Sequence, residues 1–287
     1  MAEADSGAAK GENMSVSQAD KAKRLRALHE APGAFVIPNP WDAGSARVLE
    51  AMGFQALATS SGAKAGVLGK RDGRVTREEA LANARLIAGA VDLPVIGDLE
   101  KGFGDTPDAA ALTIKGAADA GLVGGSIEDA TGNKDAPLFD IKVAAERVAA
   151  AAKAAKALPF PFVLTARAEG FLRGKADVDD IIARLKAFEA AGADVLFAPG
   201  LPDLAAVKKV TSAIGKPFNF MVGIPKKSFS KAELEAAGVK RISLATSLWK
   251  AAMTGLIDAA TEVKDKGTFT YVDRVVSTAM LAGYMKD

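Results

Sequence analysis

The chain has 287 residues, 49% of them apolar and 25% charged, enough to bury one substantial core. Acidic and basic residues nearly cancel at +2 and are interspersed, which argues against nucleic acid as a partner. Cysteine is absent, which excludes disulfides, thiolate metal ligands and a thiol nucleophile together, and fits a reducing, cytoplasmic setting.

Residues 1–18 are polar and rich in small residues, without the apolar core of a signal peptide, and are expected to form a disordered tail ahead of one domain spanning 19–287. A basic helical stretch follows with the chain's single histidine, His29, read as a surface or packing residue. From Ala34 onward, short β-branched or apolar runs alternate with longer Ala-rich amphipathic stretches, the pattern of repeated βα units. The runs are AFVIPN near 34, FQALAT near 54, PVIGDLE near 94, VGGSIED near 123, FVLTARA near 162, DVLFAP near 194, FNFMV near 218 and RISLA near 241.

Helix boundaries are marked between them. Thr106-Pro107-Asp108 combines a capping hydroxyl, a proline suited to the first helical position and an acid at the positive end of the dipole. Ala120-Gly121, Ala191-Gly192 and Ala237-Gly238 each end a helix just before a strand. About eight parallel strands in a chain of this length predict an α/β fold, a (β/α)8 TIM-type barrel. Two further helical stretches, 247–265 and 271–285, follow the last strand. The second exceeds what a barrel needs and is expected to pack on a neighbouring subunit, giving a helix-swapped homo-oligomer, a dimer of dimers. No apolar run approaches the roughly 20 residues that span a bilayer, so no membrane partner is expected.

In such a barrel the chemistry sits at the C-terminal ends of the strands. Strand three ends in Asp98-Leu99-Glu100, strand four in Glu128-Asp129 and strand five in Arg167 with Glu169, whereas strands six to eight end in apolar, Pro or small residues. Asp98 and Glu100, two apart, are expected to point the same way, with Glu128 about one strand spacing off. Acids this close repel one another unless a cation lies between them. With no Cys, and no His in this region, the ion expected is hard: Mg2+, with Mn2+ as substitute. Each acid taken alone could instead cap a helix or pair with Lys101 or Arg167. Arg167 suits a carboxylate or phosphonate. Ser60-Ser61-Gly62-Ala63 after strand two is small enough for backbone N–H groups to approach an anion. Lys64, Lys70 and Lys101, the lysines nearest the site, are read as loop residues. Gly223, Lys226, Lys227 and Ser228 form either a phosphate loop or a solvated turn. The Gly102-Phe103-Gly104 and 131–137 loops are candidate lids.

Four blocks in order, TSSGAKAGVLGKRD (59–72), GDLEKGFGD (97–105), GSIED (125–129) and LTARAEGF (164–171), resemble the phosphoenolpyruvate mutase/isocitrate lyase superfamily, in register over roughly 34–250. The likeness extends to its methylisocitrate lyase-like and oxaloacetate decarboxylase-like members. It implies that Asp98 binds the metal directly and that Glu100, Glu128 and Asp72 hold it through water. Ser61, Gly62 and Ala63 match the backbone segment that takes the substrate carboxylate, and Arg167 the arginine over the reacting group. Arg167, Asp72 and Glu128 are thus the implied catalytic residues, and Asp98 also meets the substrate.

Two signatures are missing. The lyases' Lys-Lys-Cys-Gly-His is replaced by Asp129-Ala130-Thr131-Gly132-Asn133-Lys134, and the strand-six histidine by Phe197-Ala198-Pro199-Gly200. The reaction implied is therefore a metal-assisted carbon–carbon cleavage of a 2-oxo or 2-hydroxy acid through an enolpyruvate-like intermediate, protonated by water or the Thr131 hydroxyl. The alternatives are phosphonopyruvate C–P chemistry and a non-catalytic 2-oxo acid-binding homologue.

Overall fold

A computed structural model describes residues 16–286. All eight expected strands are present: β1 (Phe35–Ile37), β2 (Leu57–Ala58), β3 (Val95–Asp98), β4 (Gly124–Glu128), β5 (Val163–Arg167), β6 (Val195–Phe197), β7 (Phe218–Met221) and β8 (Arg241–Ser243). They pair in parallel in the order β1-β8-β7-β6-β5-β4-β3-β2. The remaining seam is bridged by Ala58 N–H donating to the Pro38 carbonyl at 3.0 Å, so the sheet closes into a (β/α)8 barrel.

The helices are α1 (Gln18–Glu30), α2 (Ala43–Ala51), α3 (Ser61–Val67), α4 (Arg77–Ala90), α5 (Pro107–Asp119), α6 (Ile141–Lys156), α7 (Val178–Ala190), α8 (Leu204–Ala213), α9 (Lys231–Ala236), α10 (Ser247–Lys266) and α11 (Thr278–Tyr284). Their ends follow the sequence signals. Thr106 caps α5 by accepting from Ala109 N–H, and Gly121, Gly192 and Gly238 take left-handed φ values of 88°, 103° and 86° after α5, α7 and α9. The expected tail lies outside the described residues up to 15; Gln18 already opens α1, with Ser17 as its cap.

Alternation along each strand sorts the core in two. Outward residues such as Leu57, Leu164, Leu196, Phe218, Phe220 and Ile242 pack under the helices, while Phe35, Ile37, Ala56, Ala58, Ile96, Val163 and Val195 form an inner cluster. Helix α1 closes the N-terminal end of that inner cluster with Ala22 and Leu25, and burying Leu25 contributes about 2 kcal/mol.

His29 sits on α1 as a packing residue. Its Nδ1 lies 2.9 Å from the Leu25 carbonyl, its Nε2 lies 3.3 Å from Arg241 Nη1, and its ring stands edge-on to Phe35. Burial, reinforced by the Arg241 charge, pushes its pKa down to about 3. The unfolded chain takes up this proton near pH 6.5 and the folded one does not. Stability from this group is complete above that pH and falls as pH drops towards 3, at up to about 1.4 kcal/mol per pH unit. Urea midpoints measured between pH 7.5 and 4.5 should fall more steeply for the parent than for His29→Gln.

Helix α10 has no buried residue and exposes Leu256 and Ile257. Beyond α11, Lys286 pairs with Asp92 at 3.2 Å and Glu50 at 3.7 Å, and α11 lies on α2 of its own chain. Helix α10 meets the barrel only through its first turn, where Leu248 packs on the core and Trp249 lies over Gly66, and both C-terminal stretches keep exposed apolar residues, among them Leu256, Ile257, Met280 and Leu281. Among the described residues no helix is long and apolar enough to cross a membrane.

Candidate active site

A cavity of about 290 Å³ opens at the C-terminal ends of the strands and runs down into the barrel. Ser61, Gly62, Asp72, Asp98 and Arg167 line it; Ala63, Glu100 and Glu128 do not. Asp98, the last residue of β3, points inward. Its Oδ2 accepts from Ser61 N–H at 3.1 Å and its Oδ1 from Glu100 N–H at 3.2 Å, with Arg167 Nη1 at 3.8 Å from Oδ2. Burial alone would raise its pKa, but Arg167, Lys64 and the two N–H donors outweigh burial and hold it below the ordinary carboxylate value.

Glu100 does not share the face of Asp98 as alternation predicts. Strand β3 stops at Asp98, and Glu100 adopts a left-handed φ of 51°, which turns it into an adjoining cleft beside Lys101 and Phe103. There it faces Lys64 Nζ at 3.6 Å, and its Oε1 is buried without a hydrogen-bond partner. Burial, with Asp98 and Asp72 adding to it, raises its pKa to about 7 against the pull of Lys64. Lys64 itself lies on α3, 2% exposed and over the Phe103 ring, not in a loop. Lys101 pairs with Asp105 and Lys70 with Glu79, both away from the cavity.

Arg167, at the end of β5, is fixed on three sides. It pairs with Glu169, lies 3.6 Å from Glu128 Oε2 through Nε, and stacks 4.9 Å from the centre of the Phe197 ring. Burial would lower its pKa, but Glu169, Glu128 and Asp98 keep it above its ordinary value. Arg173 joins from below the loop, 3.0 Å from Glu169 and 3.5 Å from Glu128. Glu128 thus faces arginines more than the cavity, and burial next to Glu169 and Asp98 pushes its carboxyl up. Asp129 is bound up in structure: it accepts from Glu169 N–H at 2.8 Å and pairs with Arg184 at 3.1 Å.

The expected anion-binding segment is the start of a helix. Ser61 N–H is already given to Asp98, and Ala63 N–H points to the Ser60 hydroxyl at 3.5 Å. Gly62, at the second helical position, has no intrahelical partner for its N–H and faces the cavity; a Cβ there would meet Thr246 Cγ2 at 2.7 Å.

Of the two candidate lids, Gly102-Phe103-Gly104 is pinned. Arg147 donates to the Gly104 carbonyl at 2.9 Å, and Thr113 donates to the Gly102 carbonyl at 2.7 Å. The 131–137 loop stays exposed, but Thr131 turns its hydroxyl to the Ala136 carbonyl at 2.5 Å and away from the cavity. In the loop after β7, Gly223 lines the cavity and gives its N–H to Ser228 Oγ at 3.0 Å, while Lys226 is exposed and Lys227, half-buried, donates to the Gly200 carbonyl at 3.4 Å.

Sequence reading passed over Asn219 and Arg241, which also line the cavity. Both occupy inward positions of their strands, so strict alternation through FNFMV and RIS was the signal that marks them.

The phosphoenolpyruvate phosphomutase family profile matches residues 25–264. The chain belongs to this family, within the phosphoenolpyruvate mutase/isocitrate lyase superfamily. A provisionally named 2-methylisocitrate lyase of Corynebacterium glutamicum is 30% identical over 91% of this chain and 86% of its own. The crystal structure of a Burkholderia cenocepacia protein, assigned provisionally as a lyase/mutase, superposes with a TM-score of 0.91 at 49% identity, covering 93% of this chain and 96% of that one. A 2,3-dimethylmalate lyase of the same superfamily superposes at 0.82 with 28% identity, covering 92% and 94%. The chain is therefore an enzyme of the lyase kind, in a superfamily of carbon–carbon lyases and mutases.

Whether the site suits a divalent cation is decided by its donors. Among the described residues no three acids or imidazoles converge to cage an ion on their own. Yet Asp72, Asp98, Glu100, Glu128 and Glu169 outnumber Lys64, Arg167 and Arg173, the cations within ion-pair distance of this cluster, and the carboxyls of Glu100 and Glu128 are pushed up as a result of burial beside other acids, a crowding that a bound cation would relieve. The orphaned Glu100 oxygen adds an unfilled acceptor. One inward carboxylate with further acids a step away fits a hard ion that keeps most of its water.

Proposed function

We propose that the enzyme cleaves a carbon–carbon bond of a 2-oxo or 2-hydroxy acid, by decarboxylation or retro-aldol chemistry, with Mg2+ as cofactor and Mn2+ as substitute. The observation that carries this reading is the placement of Asp98 and Arg167 on one cavity wall, 3.8 Å apart, with no thiol in the chain and its one imidazole on α1. Asp98 would hold the ion directly, and Glu100, Glu128 and Asp72 through water. When bound, the cation supplies Lewis-acid polarisation of the substrate's carbonyl oxygen.

The chain's own groups do the rest. Gly62 N–H and the Arg167 guanidinium receive the carboxylate beside the carbonyl and fix its plane. In decarboxylation of a 2-oxo acid the bond to the distal carboxyl breaks, CO2 leaves and the electron pair moves onto the carbonyl oxygen; in retro-aldol cleavage the hydroxyl loses its proton to solvent and becomes the carbonyl of one product while the pair passes to the other as an enolate. In either case the positive charge of Arg167, held in place by Phe197 and Glu169, stabilises the enolate that forms. Because Thr131 is committed to its own loop, the carbon is reprotonated by water entering from the mouth. The test is turnover of oxaloacetate, substituted malates, methylisocitrate and phosphonopyruvate by the pure protein with Mg2+. Release of a carbon–carbon cleavage product is the expected result. Release of phosphate or phosphoenolpyruvate alone would move the enzyme to C–P chemistry, and ligand binding without any product would make it a binding homologue.

We further propose that α10 packs on a second copy, giving a homo-oligomer arranged as a dimer of dimers. Leu256→Glu with Ile257→Glu should shift the mass measured by light scattering towards the monomer, and a monomeric parent would refute the arrangement.

A further inference from the structure

The cavity does not stop at the strand ends. Most barrels of this kind fill their interior with branched side chains, but here the inward positions around the axis include Ala58, Ser126 and Ser243, and the cavity passes them. At its floor lies Arg241, 2% exposed, the first residue of β8.

Its guanidinium is held by neutral groups. Nε donates to Asn219 Oδ1 at 2.8 Å, Nη2 to Thr165 Oγ1 at 2.9 Å and Nη1 to His29 Nε2 at 3.3 Å. Three of its five N–H groups are thereby used and two are left. Among the described residues no carboxylate pairs with it, and burial lowers its pKa to about 9. A buried, unpaired arginine is costly unless something else supplies the negative charge. Arg147, the other arginine in the same state of burial, bonds three main-chain carbonyls and braces the loops; Arg241 bonds side chains only and borders an open space.

Building on the function proposed above, we infer that Arg241 forms a second anion subsite on the cavity floor, so that the preferred substrate carries a distal carboxylate directed down the barrel axis. Strand β5 gives the scale. Thr165 touches the Arg241 guanidinium, and Arg167 follows two residues later on the same inward face, about 7 Å higher. That separation suits the two ends of a short, extended diacid, one end under Arg167 and Gly62, the other against Arg241 with Asn219 and Ser243 alongside. A monoacid would leave the lower charge uncovered.

The experiment compares matched pairs on the full chain with Mg2+: oxaloacetate against 2-oxobutyrate, and 2-oxoglutarate against 2-oxovalerate. Dissociation constants come from calorimetry, or KM from turnover where it occurs. The parent should prefer at least one diacid over its neutral-tailed partner by about tenfold or more, the worth of one buried charge-assisted contact. Arg241→Met should erase that ratio while changing monoacid affinity less than threefold. An equal loss for both members of a pair would make Arg241 a structural brace and overturn the subsite. Should Arg241→Met fail to fold, the parent's ratios still decide, because monoacids bound as tightly as diacids refute the inference and leave the proposed reaction standing. If no member of either pair binds, the subsite falls, and the proposed reaction is decided by the wider panel named above.

Discussion

Asp98→Asn is expected to lower kcat/KM by about a thousandfold, with the far-UV circular dichroism and melting temperature close to the parent's. The asparagine keeps one carbonyl oxygen for either Ser61 N–H or Glu100 N–H, so the folding cost is that of one hydrogen bond, about 1 kcal/mol. The charge is what disappears. Asp98 is the strand-end carboxylate of the cavity and is held ionised by Arg167, Lys64 and two N–H groups, whereas Asp72, the other acid that lines it, is exposed to solvent and lacks that setting, so it should not take over the role. Treatment with a chelator should silence the parent and added Mg2+ restore it, whereas saturating Mg2+ should not restore Asp98→Asn. Retention of a tenth of the parent's activity would remove Asp98 from the centre of the mechanism.

The fold was legible because the βα units announce themselves, three of them twice. An apolar or alternating run marks each strand, and at three of the helices an Ala-Gly pair marks the stop, so all eight strands could be placed from the chain alone. The site was legible at Asp98 and Arg167 for a related reason: both are the last residues of regular strands, where the inward direction follows from the period of two. It failed one step beyond the strand. Glu100 and Lys64 lie past strand ends, and the left-handed turn at Glu100 and the early start of α3 at Ser61 reverse the direction a strand would give. No residue pattern specifies a left-handed glutamate. Arg241 was passed over for the opposite reason, since a charge at the start of a strand reads as a flanking residue until the barrel closes around it.

Replacing Arg167 tests whether its position or its charge does the work, because the same side chain holds the cluster together. Glu169 and Glu128 are nearly inaccessible and share Arg167, with Arg173 as their remaining cation. Arg167→Met leaves those carboxylates facing each other in a poor dielectric, and the loss of stability should be about 3–5 kcal/mol. The pH dependence has a definite sign. Glu128 already has a raised pKa, for which burial is the main cause, and loss of Arg167 raises it further. A carboxyl whose folded pKa exceeds its unfolded one adds stability as pH falls through the folded value, so the variant should recover stability as pH drops from 8 towards 6. Arg167→Met with Glu169→Gln should regain a large part of the stability at pH 8, since one of the opposed charges is gone. Arg167→Met should also lose about a thousandfold in kcat/KM, and the double variant should regain none of it, because no guanidinium remains to stabilise the enolate. If stability and activity return together, Arg167 acts only by keeping the two glutamates apart. If stability returns alone, the guanidinium itself meets the substrate, and the carboxylates around it exist to aim it.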